Sequence, residues 1–283
     1  MTREPQPLAP PMVREIQSPL TPRKIDSKEL SFETKFFEHA CQGAPRKDQA
    51  YPRDAYYYRP GYECPQQVYP QLLRTCRLVY LEARLLPVKA NEHVFWCERA
   101  PSGRFNPDIY FTDKTRFTEE QLDAIQNVHI FAQMWWLEDN HFSSLCQTDM
   151  RTQILHITIR HSDWWFWEQN RPLRLNERWI ASLKHIQGLK TFVLELETME
   201  RDKDQMYAIA DRLKKKRIEV RDGRSLRTEG NPVVKEQWIG PSAFQGGVTF
   251  IKEENRWAHR RKIIGPDAGL TYCTITLTWT LSN

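Results

Sequence analysis

LLRTCRLVYLEARLLPVKANEHVFWC, Leu72 to Cys97, changes its period halfway along. Leu72, Leu73, Cys76, Val79, Tyr80, Ala83 and Leu86 recur at three- and four-residue steps, the spacing of one helical face, while Arg74, Arg77, Glu82 and Arg84 fall on the other. Pro87 has no N–H to continue the ladder, so the helix is predicted to end there. Asn91 then breaks the chain, and His93 to Cys97 reads as a short strand of bulky residues. The stretch is one helix feeding one strand.

Working outward, the same order returns. Thr118 is placed to cap a helix through Ile125, with Glu119, Glu120 and Gln121 behind it, and Asn127 leads into NVHIFAQ. ILHITIRH, Ile154 to His161, alternates apolar and polar positions, and a helix over Glu177 to Gln187 is stopped by Gly188 before LKTFVLELE. Strands near His93, Val128, Ile154 and Leu189 thus recur at roughly 26 to 36 residues, an interval typical of solenoids. The expected fold is α/β: irregular helix–strand repeats forming a curved, mainly parallel sheet, leucine-rich-repeat-like, with a compact α/β sandwich as the alternative. A further helix is expected over Asp204 to Lys216, with Met206, Ile209, Ala210 and Leu213 inward. An extra C-terminal β element follows, with turns at Gly246 and Gly247 and strands over Val248 to Ile251 and Leu270 to Leu281. The last strand sets Cys273, Ile275, Leu277 and Trp279 against threonines, which suits a sheet edge or a half-covered sheet.

Composition sets the limits. A chain of 283 residues with 40% hydrophobic and 12% aromatic content can bury a real core. Residues 1–28 hold repeated prolines among charges and almost no aromatics, so they are expected to be a disordered tail; Ser18-Pro19 and Thr21-Pro22 in it resemble proline-directed kinase sites. A single α/β domain is expected over 29–283, with a helix from Leu30 and an aromatic loop over 29–70, repeats over 71–220 and β structure over 221–283. Six scattered cysteines without a CxxC pair suit reduced thiols of a cytoplasmic or nuclear protein. His93 and Cys97 lie about 13 Å apart along a strand. No metal or cofactor is therefore expected. Neither a secretory signal nor an apolar run of membrane-spanning length is present, so no membrane association is expected. Net charge is only +5, although RLKKKR, Arg212 to Arg217, and RWAHRRK, Arg256 to Lys262, are locally basic and offer a nucleic-acid patch or a solvated face.

Candidate functional residues follow from strand parity. If Leu155, Ile157 and Ile159 point inward, His156 and Arg160 point outward; the same rule exposes His129, Glu195 and Glu197. On neighbouring strands these groups can perform acid–base work, bind a polar ligand, or simply pair across the sheet. The second candidate is aromatic: Trp164, Trp165 and Trp167, with Trp135 and Trp136 on an earlier loop, can clamp a ligand, form an interface hot spot, or seal the sheet against its loops. Adjacent His161, Ser162 and Asp163 cannot stack as a hydrolase triad, and no Walker loop, dinucleotide glycine pattern, HExxH or GxSxG appears.

Taken together, the opening stretch, YYYRPGY, NVHIFAQMWWLE, ILHITIRHSDWWFWE and GLKTFVLELETME resemble a large group of fungal proteins akin to the F-box-like and two-EXR domain families, over roughly residues 30 to 245. The resemblance implies an α/β repeat body behind an F-box-like helix. At the matching place LSFETKFFEHA lacks the family's proline and Glu-Leu-Arg core, so that helix is degenerate. It implies no catalytic residues. The expected function is that of a non-enzymatic protein-interaction module, adaptor-like, binding another protein. The alternatives are an enzyme or small-ligand binder on the polar strand face and nucleic-acid binding through the basic clusters.

Overall fold

The computed structural model describes residues 37–104, 106–113, 117–259 and 269–281. The expected tail with its Ser18 and Thr21 sites, most of the helix from Leu30, and residues 260–262 of the second basic cluster lie outside them.

The described chain opens on helical residues 37–41, the end of the helix expected from Leu30, and runs on into a strap. Strand β1 (Ala44–Pro45) pairs antiparallel with β2 (Gln66–Gln67), closing the proline- and tyrosine-rich segment between them into a loop. Inside it the Tyr51 N–H donates to the Glu63 carbonyl at 2.7 Å. Strands β3 (Glu92–Trp96), β4 (Asn127–Phe131), β5 (Ile154–Ile159) and β6 (Thr191–Met199) then lie in chain order, all parallel. Parallel neighbours require crossovers, and these carry the helices, among them Glu119–Ala124, His141–Cys146 and the 3-10 helix Glu177–His185. Thr118 caps the first of these reciprocally with Gln121, as its sequence predicts. The helix Lys203–Leu213 follows β6.

The last third of the chain closes the sheet. A hairpin of β7 (Ile218–Glu219) and β8 (Ser225–Arg227) precedes β9 (Val234–Gly240), and a small antiparallel sheet joins β10 (Ala243–Phe244), β11 (Val248–Ile251) and β12 (Arg256–His259). β13 (Leu270–Leu281) then runs antiparallel beside β6, with β9 and β8 sharing its far edge. It is therefore a central strand, where its alternation suited a sheet edge or a half-covered sheet. The mainly parallel, helix-crossed sheet and the C-terminal β region agree with expectation. Leucine-rich-repeat-like curvature does not appear: a long antiparallel strand is zipped onto the last parallel one, and both sheet faces are covered. Arg256 to His259 are a strand of the small sheet, with Trp257 buried.

One register row, Ile130, Ile157, Leu194 and Leu277, runs across four strands with every member at most 1% exposed. Trp136, Phe142, Leu183 and Leu213 pack on the same core from the helices. Each such side chain contributes about 1.5–3 kcal/mol of burial. The opening helix behaves differently. It is split into a 3-10 turn Pro70–Arg74, a helix Arg77–Ala83 and a second short helix Leu86–Lys89. Cys76 is extended, and Pro87 sits in the first turn of the last piece, where no N–H is needed. Of its predicted inner stripe only Ala83 and Leu86 are buried, against Cys41, because the segment flanks the main core.

Gly240 marks a close approach. A Cβ there would lie 2.6 Å from the Tyr272 ring and 2.7 Å from that of Trp238. Gly240→Ala is expected to cost about 1–3 kcal/mol by overpacking, read as a lowered thermal midpoint. An unchanged midpoint would show that the two stacked rings move aside freely.

Candidate functional site

The polar face of the sheet is assembled by register. His129 stands directly beside His156, and Thr158 beside Glu195, which faces Thr276 on β13; Glu197 faces Thr274. The parity argument is therefore right about which side chains share a face. It is wrong that the face is open. His129, Arg160 and Glu197 are each 3% exposed or less, because the strap lies across them.

Two strap residues do the covering. The Arg59 guanidinium reaches both carboxylates, with Nη1 donating to Glu197 Oε2 at 2.8 Å and Nη2 to Glu195 Oε1. Glu197 also accepts from the Trp238 indole at 3.0 Å and from the His161 backbone N–H at 3.1 Å. A buried carboxylate is tolerated only when paired and hydrogen-bonded, and here both conditions hold. The second cover is Tyr62, whose hydroxyl donates to Glu92 Oε2 at 2.8 Å and lies 2.6 Å from His129 Nδ1. Since that hydroxyl has one proton, Nδ1–H is the donor to the tyrosine oxygen. His129 Nε2 lies 2.8 Å from Thr158 Oγ1, which is 3.3 Å from Glu195. A hydrogen-bonded chain thus runs from Glu92 at the surface through Tyr62, His129 and Thr158 to the buried Glu195.

The electrostatics fit this closure. Burial, then the charges of His129 and Arg59, pushes His156 down to about 2. Burial opposes ionisation of Glu92, but hydrogen bonds and charge from His129, with a bond from Tyr62, outweigh it and hold the carboxyl below its usual value. Tyr62 is raised, by burial first and then by Glu92. A phenol held in its protonated form suits a hydrogen-bond donor.

Glu92, His129 and His156 also bring donor atoms within 4.8 Å of one another, the one group of metal-ligand character among the described residues. Its geometry does not fit a metal. The two imidazoles are stacked at 3.8 Å between centroids and 9° between planes. A metal must lie in the plane of each imidazole it binds, and two nearly parallel, offset planes share no such point. Both His129 nitrogens are moreover engaged by Tyr62 and Thr158.

The remaining predicted residues part company. Arg160 turns back onto Asp163, 2.6 Å away, and donates to the Tyr56 carbonyl at 3.0 Å, so Asp163 is an arginine partner and belongs to no triad. Trp136, Trp164 and Trp167 are core residues: Trp136 bonds Asp108, Trp164 bonds the Glu197 carbonyl, and Trp167 packs edge-on against Trp257. Trp135 is half-buried against Gln133. Trp165, also half-buried, lines a surface cleft. The five tryptophans form no common clamp: Trp135 and Trp136 stand on a helix, Met134–Glu138, where a loop was expected, and neighbouring residues there and in the irregular segment of the other three point in different directions.

No protein-family model matches this chain, and no curated protein or solved structure matches it either. The site is therefore interpreted from its own chemistry. Sequence reasoning missed Arg59, Tyr62 and Trp238. Part of the signal was present: two carboxylates on alternate positions of a buried strand demand a cation, and the strap carries Arg53 and Arg59 among its tyrosines.

Proposed function

We propose that this protein is a non-enzymatic interaction module that binds another protein, with the polar strand face acting as an internal lock. The observation that carries this reading is Arg59: a strap residue, 6% exposed, occupies the carboxylates a ligand would use. A general base needs hydrogen-bond reach to a substrate proton, and both nitrogens of His129 are taken. The cysteines offer no nucleophile in the core either, since burial raises Cys97 and Cys146 well above ordinary thiols. Among the described residues no helix is long and apolar enough to cross a membrane. Kinship with the fungal F-box-like and two-EXR group, and an adaptor-like role in the cytoplasm or nucleus, belong to the same proposal and rest on the motifs of the sequence.

The test is native mass spectrometry of what the tagged full chain retains from its host. A stoichiometric protein partner is expected, retained equally by Thr158→Val and His156→Gln. Retention of a small molecule that both substitutions abolish, with no protein partner, would replace this reading with the ligand-binding one.

A further inference from the structure

Trp165 and Phe166 wall a cleft of about 530 Å³ with Arg171, Pro172, Arg174 and Leu175. Phe166 is 50% exposed and held in the left-handed region at φ 54°, and Asn170 closes the same turn at φ 55°. A bulky residue in that conformation is strained, and such strain gathers at working surfaces. The Trp165 indole is fixed by a 2.8 Å bond to Glu138 Oε2, while Oε1 accepts from the Asn176 backbone N–H at 2.8 Å. Both oxygens of the cleft's carboxylate are thus engaged. Arg171 and Arg174 form no ion pair among the described residues.

The cleft continues past Leu175 and Asn176 into a second one of about 720 Å³, where Arg178 and Lys184 join three residues of the basic cluster, Arg217, Arg212 and Lys216. The last two share one carboxylate, Glu177. Along both clefts seven cationic side chains face three carboxylates, a local excess comparable with the +5 of the whole chain. One end is apolar and aromatic, the other positively charged.

We infer that this double cleft binds an acidic protein segment carrying one large apolar side chain, the apolar group entering between Trp165, Pro172 and Leu175 and the carboxylates lying along the arginines. This rests on the interaction-module reading and names the partner's chemistry. Charge complementarity selects an anion. A peptide is favoured over single-stranded nucleic acid because the Arg171 guanidinium already lies 4.6 Å over the Phe166 ring, the flat face on which a base would stack.

The test uses the purified full chain and three labelled probes: a peptide of about twelve residues with one tryptophan among glutamates, the same peptide with alanine for tryptophan, and an oligouridylate of similar charge. Fluorescence anisotropy is expected to show saturable binding of the tryptophan peptide, about tenfold weaker for the alanine peptide and at least tenfold weaker in Arg171→Glu/Arg174→Glu. Those substitutions are exposed, and an unchanged thermal midpoint confirms the fold. The inference is overturned if the oligouridylate binds as tightly as the tryptophan peptide, if the alanine peptide binds equally well, or if the charge-reversed variant binds unchanged. A stoichiometric host partner retained equally by that variant would remove the cleft while leaving the interaction reading intact; absence of any protein partner would remove the reading itself.

Discussion

Arg59→Ala is expected to destabilise the fold by about 3–5 kcal/mol, the usual consequence of removing one partner from a buried ion pair. The reason is the pair of carboxylates it leaves behind. Glu197, 3% exposed, keeps its bonds from Trp238 and the His161 N–H but loses its countercharge, and Glu195 loses the same guanidinium. The strap loses its anchor as well. Lysine is no substitute, since one ammonium cannot span both carboxylates in the forked geometry of a guanidinium. Arg59→Met combined with Glu195→Gln and Glu197→Gln is expected to recover much of the loss by removing the unpaired charges together. Urea unfolding measures both, and a loss below about 1 kcal/mol for Arg59→Ala would show that the strap is held by its aromatic contacts alone.

Acidification from pH 7 to pH 5 is expected to remove about 4 kcal/mol of stability through two histidines. Among the described residues His161 has no hydrogen-bond partner on either ring nitrogen, and it sits among Trp167, Trp257 and Tyr272. Burial, with the Arg201 charge, pushes it down to about 3, and His156 is held at about 2. Both folded values lie below the ordinary value of 6.5, so the unfolded chain takes up the protons first. Stability is therefore complete above pH 6.5 and falls below it, by up to about 1.4 kcal/mol per pH unit for each ring, until the folded values are reached. His93, lowered chiefly by burial, acts in the same direction. Glu92, held below its usual value, adds its own loss only at more acid pH, as the pH falls through the carboxylate range. Denaturation midpoints at pH 7, 6 and 5 measure the slope, and His161→Leu is expected to flatten it. An unchanged slope in that variant would remove His161 from the account.

The candidate site was legible in one dimension only. Alternation in ILHITIRH and LKTFVLELE fixes which side chains share a face, and the parallel register then places His129 beside His156. Nothing periodic marks the strap. Arg59 and Glu197 are separated by 138 residues, and their meeting depends on where the chain between them folds. The tryptophans failed as a clamp for a related reason: Trp164 and Trp167 lie in irregular and 3-10 turns, where sequence spacing carries no rule for direction.

The sequence by itself determined the alternation of elements. Apolar spacing near 3.6 or 2 is set by backbone geometry, so the strands β3 to β6, the Thr118 cap and the helix before β7 could be read locally. Tertiary structure decided what those elements face. The opening Leu72–Cys97 stretch shows both: its strand joins the main sheet, while its helix breaks at Cys76 and leaves Tyr80 of the predicted stripe 50% exposed. A hydrophobic stripe states that a surface is suited to burial. Whether another surface arrives to bury it depends on long-range packing, which here brought the strap onto the polar face and β13 against β6.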